Sequence, residues 1–230
     1  MKGSVCTSNL AYVVGLLATD GNLSNDKRHI IFRSSDIQLI KTFSDYLNLK
    51  NKIGSSPNWG GYAKKPSYRV QFGDVTFYKW LLKQGLFPAK TYTIGKISVP
   101  DRYFKDFLKG HLDGDGSIIT YVDNYNSYKG RVYANTRLIV HFISASQAHI
   151  NWLYEKINNL AGVKGALYSH RMRTGIDIWR IKFSKKESIK LLGWIYYKNE
   201  LPCLQRKEQI ARRVLKIIPQ ETRKKYEKFA

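Results

Sequence analysis

The sequence predicts an α+β protein built from two related halves, and three observations predict it. A glycine-aspartate ending recurs, once in "YVVGLLATDGNL" around Asp20-Gly21 and once in "FLKGHLDGDGSI" around Asp115-Gly116. Each ending is followed by a polar, β-prone stretch, a helical pattern and a strictly alternating strand. And the chain, 230 residues with 43% hydrophobic content, can bury a proper core, which excludes disorder.

Taken in order, each half opens on an apolar helix. Ser8 or Asn9 can cap the first, and Asp101 after Pro100 the second; Gly21 and Gly116 suit the C-terminal ends. The next helix of the first half is predicted over about 36–47, with Ile37, Ile40, Phe43 and Leu47 on one face. Its counterpart covers about 147–160, with Ile150, Leu153, Ile157 and Leu160 at the same spacing. The strands "YRVQF" (68–72) and "WRIKF" (179–183) alternate. Tyr68, Val70 and Phe72 face inward, as do Trp179, Ile181 and Phe183, while Arg69, Gln71, Arg180 and Lys182 face out. A helix with a proline-marked end, at "GLFPAK" and "NELPCLQRK", closes each half.

Asp20 to Arg69 spans 49 positions and Asp115 to Arg180 spans 65, so the second half carries 16 extra residues. The Tyr/Asn-rich run 121–137 accommodates them as a lengthened hairpin. The segment 91–100 lacks helical periodicity and reads as a linker. The division that follows is 5–97, 98–218 and a basic tail at 219–230.

Thirty-nine Lys+Arg against 17 Asp+Glu leave a formal net charge of +22. Such an excess points to a polyanionic partner, nucleic acid before an anionic membrane. The basic residues are spread among Tyr, Asn and Gln, which favours an extended binding surface over a disordered arm. No apolar run approaches a membrane span, and Met1-Lys2-Gly3-Ser4 lacks the apolar core of a signal peptide. Cys6 and Cys203 read as free thiols in a reducing compartment, the cytoplasm, nucleoid or an organelle matrix.

In such a basic chain the two aspartates need a reason. Gly15 and Thr19, and Gly110 and Gly114, stand at i,i+4 and place small residues on one helix face. Two helices can then pack closely along those faces, related by a pseudo-twofold axis, with their C-terminal ends side by side. Asp20 and Asp115 come together there. Two carboxylates about 4 Å apart repel by roughly 4 kcal/mol at an effective dielectric of 20, and the helix C-termini add negative potential. A divalent cation would compensate them. "DGDGS" is not an EF-hand loop, since its glycine falls at the fourth position and Asn124 stands where the bidentate Glu belongs.

The segments Val13–Gly21 and Leu108–Gly116 resemble the two motifs of single-chain LAGLIDADG homing endonucleases, a likeness that extends from about Ser8 to Ile218. Ala18 departs from the pattern at a position where the family often has an acid. His111 replaces a usually apolar residue and reads as a packing or polar contact at the helix interface, not as a base. The resemblance implies two αββαββα units joined through their motif helices, with antiparallel sheets forming a saddle over double-stranded DNA. It implies a monomer that cuts both strands of a long target and promotes the mobility of an intron or intein.

Carried over by position, Asp20 and Asp115 bind Mg²⁺, two or three ions shared between them, aided by the backbone carbonyls of Thr19 and Gly114. Basic side chains around the attacking water are then Lys207, from the Pro-x-x-x-x-Lys pattern after Pro202, and Arg33 or Lys90 in the first half. The DNA-reading surface is expected on outward strand positions. These are Arg28, Arg33, Lys65, Arg69 and Gln71 in the first half, and Tyr121, Asn124, Lys129, Arg131, Arg137, Arg180 and Lys182 in the second, with His170, Arg171 and Arg173 at a strand tip. Two other functions use the same scaffold: an RNA maturase acting on intron RNA, and a non-catalytic DNA-binding regulator. Neither needs the two acids.

Overall fold

The computed structural model describes residues 6–56, 66–128, 131–198 and 201–226, without the side chains of 124–133 and 217–226. The chain begins with α1 (Ser8–Asp20), β1 (Gly21–Leu23), β2 (His29–Ser34) and α2 (Ile37–Tyr46), followed by β3 (Gly54–Ser56), β4 (Ser67–Gly73) and α3 (Val75–Gln84). Short 3₁₀ turns at Lys90–Tyr92 and Asp101–Tyr103 lead to the second half. There the same order returns as α4 (Phe104–Gly114), β5 (Ser117–Tyr128), β6 (Arg131–Ser144), α5 (Gln147–Ala161), β7 (Ala166–Arg171), β8 (Asp177–Phe183) and α6 (Lys185–Ile195). A last helix, α7 (Gln205–Tyr226), has no counterpart in the first half and continues past residue 218 into the segment expected as a tail.

Both halves form a four-stranded antiparallel sheet, and both use the same order: β1-β2-β4-β3 and β5-β6-β8-β7. Register explains the alternation read from the sequence. Ile30 pairs with Phe72 and Phe32 with Val70, all of them buried, as Val140–Phe183 and Phe142–Ile181 are in the second sheet. The opposite sheet faces carry Arg69, Gln71, Arg180 and Lys182, all exposed. The extra residues of the second half do lengthen its first hairpin, whose strands hold 12 and 14 residues against 3 and 6 in the first half.

Two caps differ from expectation. Thr7, not Ser8 or Asn9, caps α1, its Oγ1 accepting from Leu10 N at 3.2 Å. Asp101 does not cap α4: it opens the 3₁₀ turn and pairs with Lys156 at 2.6 Å. Gly21 does end α1 as its C-cap, with φ −85°, and starts β1; α4 ends on Gly114 with Asp115 as its C-cap, so Gly116 lies one residue beyond. Both glycines are needed for closeness: a Cβ on Gly21 would lie 2.6 Å from Leu17 Cα, and one on Gly116 2.7 Å from Leu112 Cα.

The linker is part of the core rather than a free tether. Ile94, Ile97 and Val99 are buried, and Ser146 Oγ donates to Ile94 O at 2.5 Å. No described helix is long and apolar enough to cross a membrane.

Candidate metal centre and nucleic-acid interface

α1 and α4 cross on main chain. A Cβ on Gly15 would overlap Phe107 O and lie 2.8 Å from His111 N; one on Gly110 would overlap Tyr12 O and lie 3.1 Å from Leu16 N. One turn further, a Cβ on Gly114 would strike the Thr19 side chain and lie 2.9 Å from Asp20 Oδ2. The carboxylate of the first helix therefore rests against the end of the second. The small-residue faces expected from the sequence do form the crossing, and they deliver Asp20 to the side of Asp115.

Burial first, and the Asp115 charge second, push the Asp20 carboxyl up to about 7. Thr19 Oγ1, 3.3 Å from Asp20 Oδ2, works against this, as do Lys90 and Lys207. Asp115 is also raised by the loss of surrounding water, and the same two lysines pull it back. Neither aspartate forms an ion pair with another described residue.

The two lysines are twins. Lys90 Nζ donates to Gly21 O at 2.5 Å, and Lys207 Nζ donates to Gly116 O at 2.7 Å; the accepting glycine follows the aspartate in each case. Lys207 also donates to Leu112 O at 2.6 Å and Asp113 O at 2.9 Å. Both ammonium groups are buried, which lowers each to about 8 despite the neighbouring carboxylates. Lys90 reaches its place from the 3₁₀ turn after Ala89, a left-handed residue at φ 54°, and Lys207 from the first turn of α7.

Arg33 lies on β2 opposite Arg69 and lines a cleft with Arg69, Ser55 and Ser67. In the second sheet Ile143 faces Arg180 at the corresponding place, so Arg33 has no charged twin. The repeated set is Asp20 with Lys90 and Asp115 with Lys207.

No group of three or more His, Cys, Asp or Glu side chains gathers among the described residues. The acidic donors that meet at the helix ends are the carboxylates of Asp20 and Asp115, which offer oxygen alone. That all-oxygen set fits a hard divalent cation such as Mg²⁺, which takes few protein ligands and keeps its waters. It does not fit a soft metal.

The expected DNA-facing residues separate into groups. Arg33, Arg69 and Gln71 share the open face of the first sheet with Asn22. Arg28 sits at its far turn, over Gly73. On the second sheet Tyr121 pairs with Arg137, whose guanidinium is bound to Asp123 at 2.8 Å. Arg180, Lys182 and His170 line a hollow together with His141. Arg171 lies 3.6 Å from Asp177, and Arg173 is exposed in the turn between β7 and β8. Lys65 and Lys129 lie outside the described residues, as do the side chains of Asn124 and Arg131. His141, Ile119, Ile139 and Tyr168 are on this open face without having been expected there. The alternation Leu138, Val140, Phe142 on the buried face was the signal that put 139 and 141 outward.

No protein-family model matches the chain, and no curated protein matches it in sequence. Solved structures do. The LAGLIDADG homing endonuclease I-LtrWI bound to target DNA superposes with a TM-score of 0.57 at 12% identity, over 93% of this chain and 91% of that one. I-DmoI in complex with DNA and Mn gives 0.52 at 18% identity, over 84% and 98%. The full-length DUF199/WhiA protein from Thermotoga maritima gives 0.53 at 12% identity, over 97% and 70%. The chain has the two-repeat α+β fold of the LAGLIDADG homing endonucleases.

Proposed function

We propose that the protein is a site-specific DNA endonuclease that cuts both strands of a long double-stranded target in a divalent-metal-dependent reaction, promoting the mobility of an intron or intein. The observation that carries this reading is the twofold set at the helix ends: two carboxylates side by side, each with a buried lysine bonded to the carbonyl of the next residue. A structural role accounts poorly for it, because two partly dehydrated like charges oppose each other.

In this reading Asp20 and Asp115, with the carbonyls of Thr19 and Gly114, hold the cations, two or three of them between the halves. Mg²⁺ bound there would polarise the scissile phosphates and supply the attacking water. Lys90 and Lys207 keep positive charge beside both carboxylates, which favours their ionised form. Arg33 and Arg69 offer paired guanidiniums to backbone phosphate on the first side. Arg28, Gln71, Tyr121, Arg137, His170, Arg171, Arg173, Arg180 and Lys182 supply the remaining contacts to a duplex laid along the two open sheet faces, together with Lys65, Asn124, Lys129 and Arg131. The protein acts as a monomer, in a reducing compartment where DNA lies: cytoplasm, nucleoid or organelle matrix.

The neighbours described above with DNA, and in one case Mn, support this reading. Fold alone would not, since one fold can carry several functions. A maturase acting on intron RNA or a non-catalytic regulator would use the same basic faces but would gain nothing from the paired acids.

Asp20→Asn and Asp115→Asn decide the matter. They keep the side-chain size and remove the charge that holds the metal. Each should lower double-strand cleavage of the native insertion site at least ~100-fold, given the several kcal/mol a bound metal supplies. DNA affinity in metal-free buffer should hold or rise, because a negative charge facing phosphate is gone. Normal cleavage by either variant would overturn the mechanism, and parallel loss of binding would return both residues to a structural role.

A further inference from the structure

The two open sheet faces differ in one respect that charge does not explain. Ile119, Tyr121 and Tyr168, on the open face of the second sheet, are each 40% or more exposed; no strand of the first sheet carries such a residue among those described. Ile119 and Ile139 are a cross-strand pair on the open face, and Tyr168 stands beside Arg180 on the same face. Around them His141, His170, Arg180 and Lys182 complete a hollow whose lining includes no carboxylate. In the first sheet Gly54 occupies the place of Tyr168, each facing the arginine of the neighbouring strand, and β1 ends before the place of Ile119 is reached.

An exposed apolar cluster on a folded surface ordinarily marks something that binds there. The cationic and imidazole rim selects a polyanion. A DNA major groove presents hydrogen-bonding edges from every base pair and one apolar group, the C5-methyl of thymine. We propose that Ile119 and Ile139, paired at one side of this hollow, form a thymine-methyl contact. On this account the half-site read by the second repeat carries a thymine recognised through its methyl, for which the first sheet has no exposed apolar pair among the described residues. The inference rests on the DNA-binding reading above and adds a base preference to it.

The full-length protein should be used to select binding sites from a randomised duplex pool in metal-free buffer. The selected sites should hold thymine at a fixed position in the half read by the second repeat. Deoxyuridine at that position, which removes the methyl and nothing else, should weaken binding about fourfold, the worth of one buried methyl-sized group. The same exchange in the other half should have no effect. Ile119→Ser, at an exposed position, should bind the thymine and deoxyuridine duplexes equally.

Unchanged affinity on deoxyuridine substitution throughout that half would overturn the contact while leaving DNA binding intact. Recovery of 5-methylcytosine in place of thymine, from a pool carrying that base, would overturn the assignment to thymine. Self-association lost in Ile119→Ser with no change in DNA affinity would give the patch to a second copy of the chain instead. Failure to enrich any duplex would remove the DNA-binding reading itself, a result distinct from all of these.

Discussion

Aligned on their terminal aspartates, α1 carries Ala11, Val14, Leu16 and Ala18 where α4 carries Asp106, Lys109, His111 and Asp113. All eight are buried. The two helices share the glycine face on which they meet and one buried leucine, Leu17 in α1 and Leu112 in α4, while their other surroundings diverge. The back of α1 meets an apolar core. The back of α4 meets the segment that leads from α6 into α7, which the first half lacks. Asp113 Oδ2 there accepts from Leu204 N at 2.7 Å and from Tyr12 Oη at 2.9 Å, and Tyr197 Oη donates to Asp106 Oδ1 at 3.2 Å. Lys109 lies 3.9 Å from Asp106 with no hydrogen bond among the described residues. Burial raises Asp113 to about 6 and lowers Lys109 to about 8. Close packing thus needs very little of the motif: two glycines suffice, and the remaining face can be oil or charge according to what lies behind it.

What the halves share should be the least tolerant. A methyl on Gly15 or on Gly110 meets carbonyl oxygen on the partner helix, and no side chain can move aside to admit it. Gly15→Ala and Gly110→Ala should each cost at least ~3 kcal/mol, the upper range for overpacking, read as a shift in the denaturant midpoint. Equal losses confirm a symmetric crossing; tolerance at one position would show that the other helix yields.

What the halves do not share should break in a different manner. Asp113→Ala strands Leu204 N, Tyr12 Oη and the Lys109 charge, at a cost of about 3 kcal/mol. The triple change Asp106→Ala, Lys109→Val, Asp113→Ala copies α1 onto α4 and should recover about half of that loss, because it removes the uncompensated Lys109 charge, which outweighs the acceptor lost to Tyr197 Oη. Additive losses in chemical denaturation would mean that each group is needed separately.

The mildest test uses His111, which stands where α1 has Leu16. Its Nε2 lies 3.2 Å from His149 Nε2, and His149 Nδ1 donates to Gly95 O in the linker at 2.7 Å. That bond fixes His149 as the Nδ1–H tautomer, so its Nε2 accepts from His111. A further proton on either ring has no acceptor. His149 is pushed down to about 4 and His111 well below its ordinary value, chiefly by burial, with Lys90 and Lys207 adding to the effect. For a base depressed in the folded state, stability is full above the unfolded pKa of about 6.5 and is lost as pH falls from there toward 4. The loss should be on the order of 2–3 kcal/mol, at about 1.4 kcal/mol per unit. His111→Leu should remove its own share of that slope and leave the share set by His149, whose depression does not depend on His111; a slope unchanged in both His111→Leu and His149→Leu would place the acid sensitivity elsewhere.

Much of this was legible from periodicity. The six inward residues of 68–72 and 179–183 that alternate with Arg, Gln and Lys, and the heptad-like faces of α2 and α5, are local signals; four of the six, Val70, Phe72, Ile181 and Phe183, are buried, and Tyr68 and Trp179 are half-buried. The glycine faces were legible too, because only a close approach explains small residues at i,i+4. The roles of Gly21 and Gly116 were not: a glycine after a helix looks alike whether it turns left-handed or merely makes room. Nor did the sequence reveal that Lys90 and Lys207 are equivalents, since one follows its proline by two residues and the other by five. Their likeness lies in the carbonyls they reach, and that is a product of tertiary structure. The buried charges of α4 were hidden for the same reason, their partners lying 91 to 101 positions away.

The contact at Gly15 and Gly110 is backbone against backbone, so the separation of Asp20 and Asp115 behaves as a fixed gauge. Side chains on the sheets can be exchanged, strands lengthened as in β5 and β6, and bases read anew, and none of those changes touches the gauge. In a nuclease of the kind proposed, the stagger between the two cuts would therefore be the trait slowest to drift, and the recognised sequence the quickest.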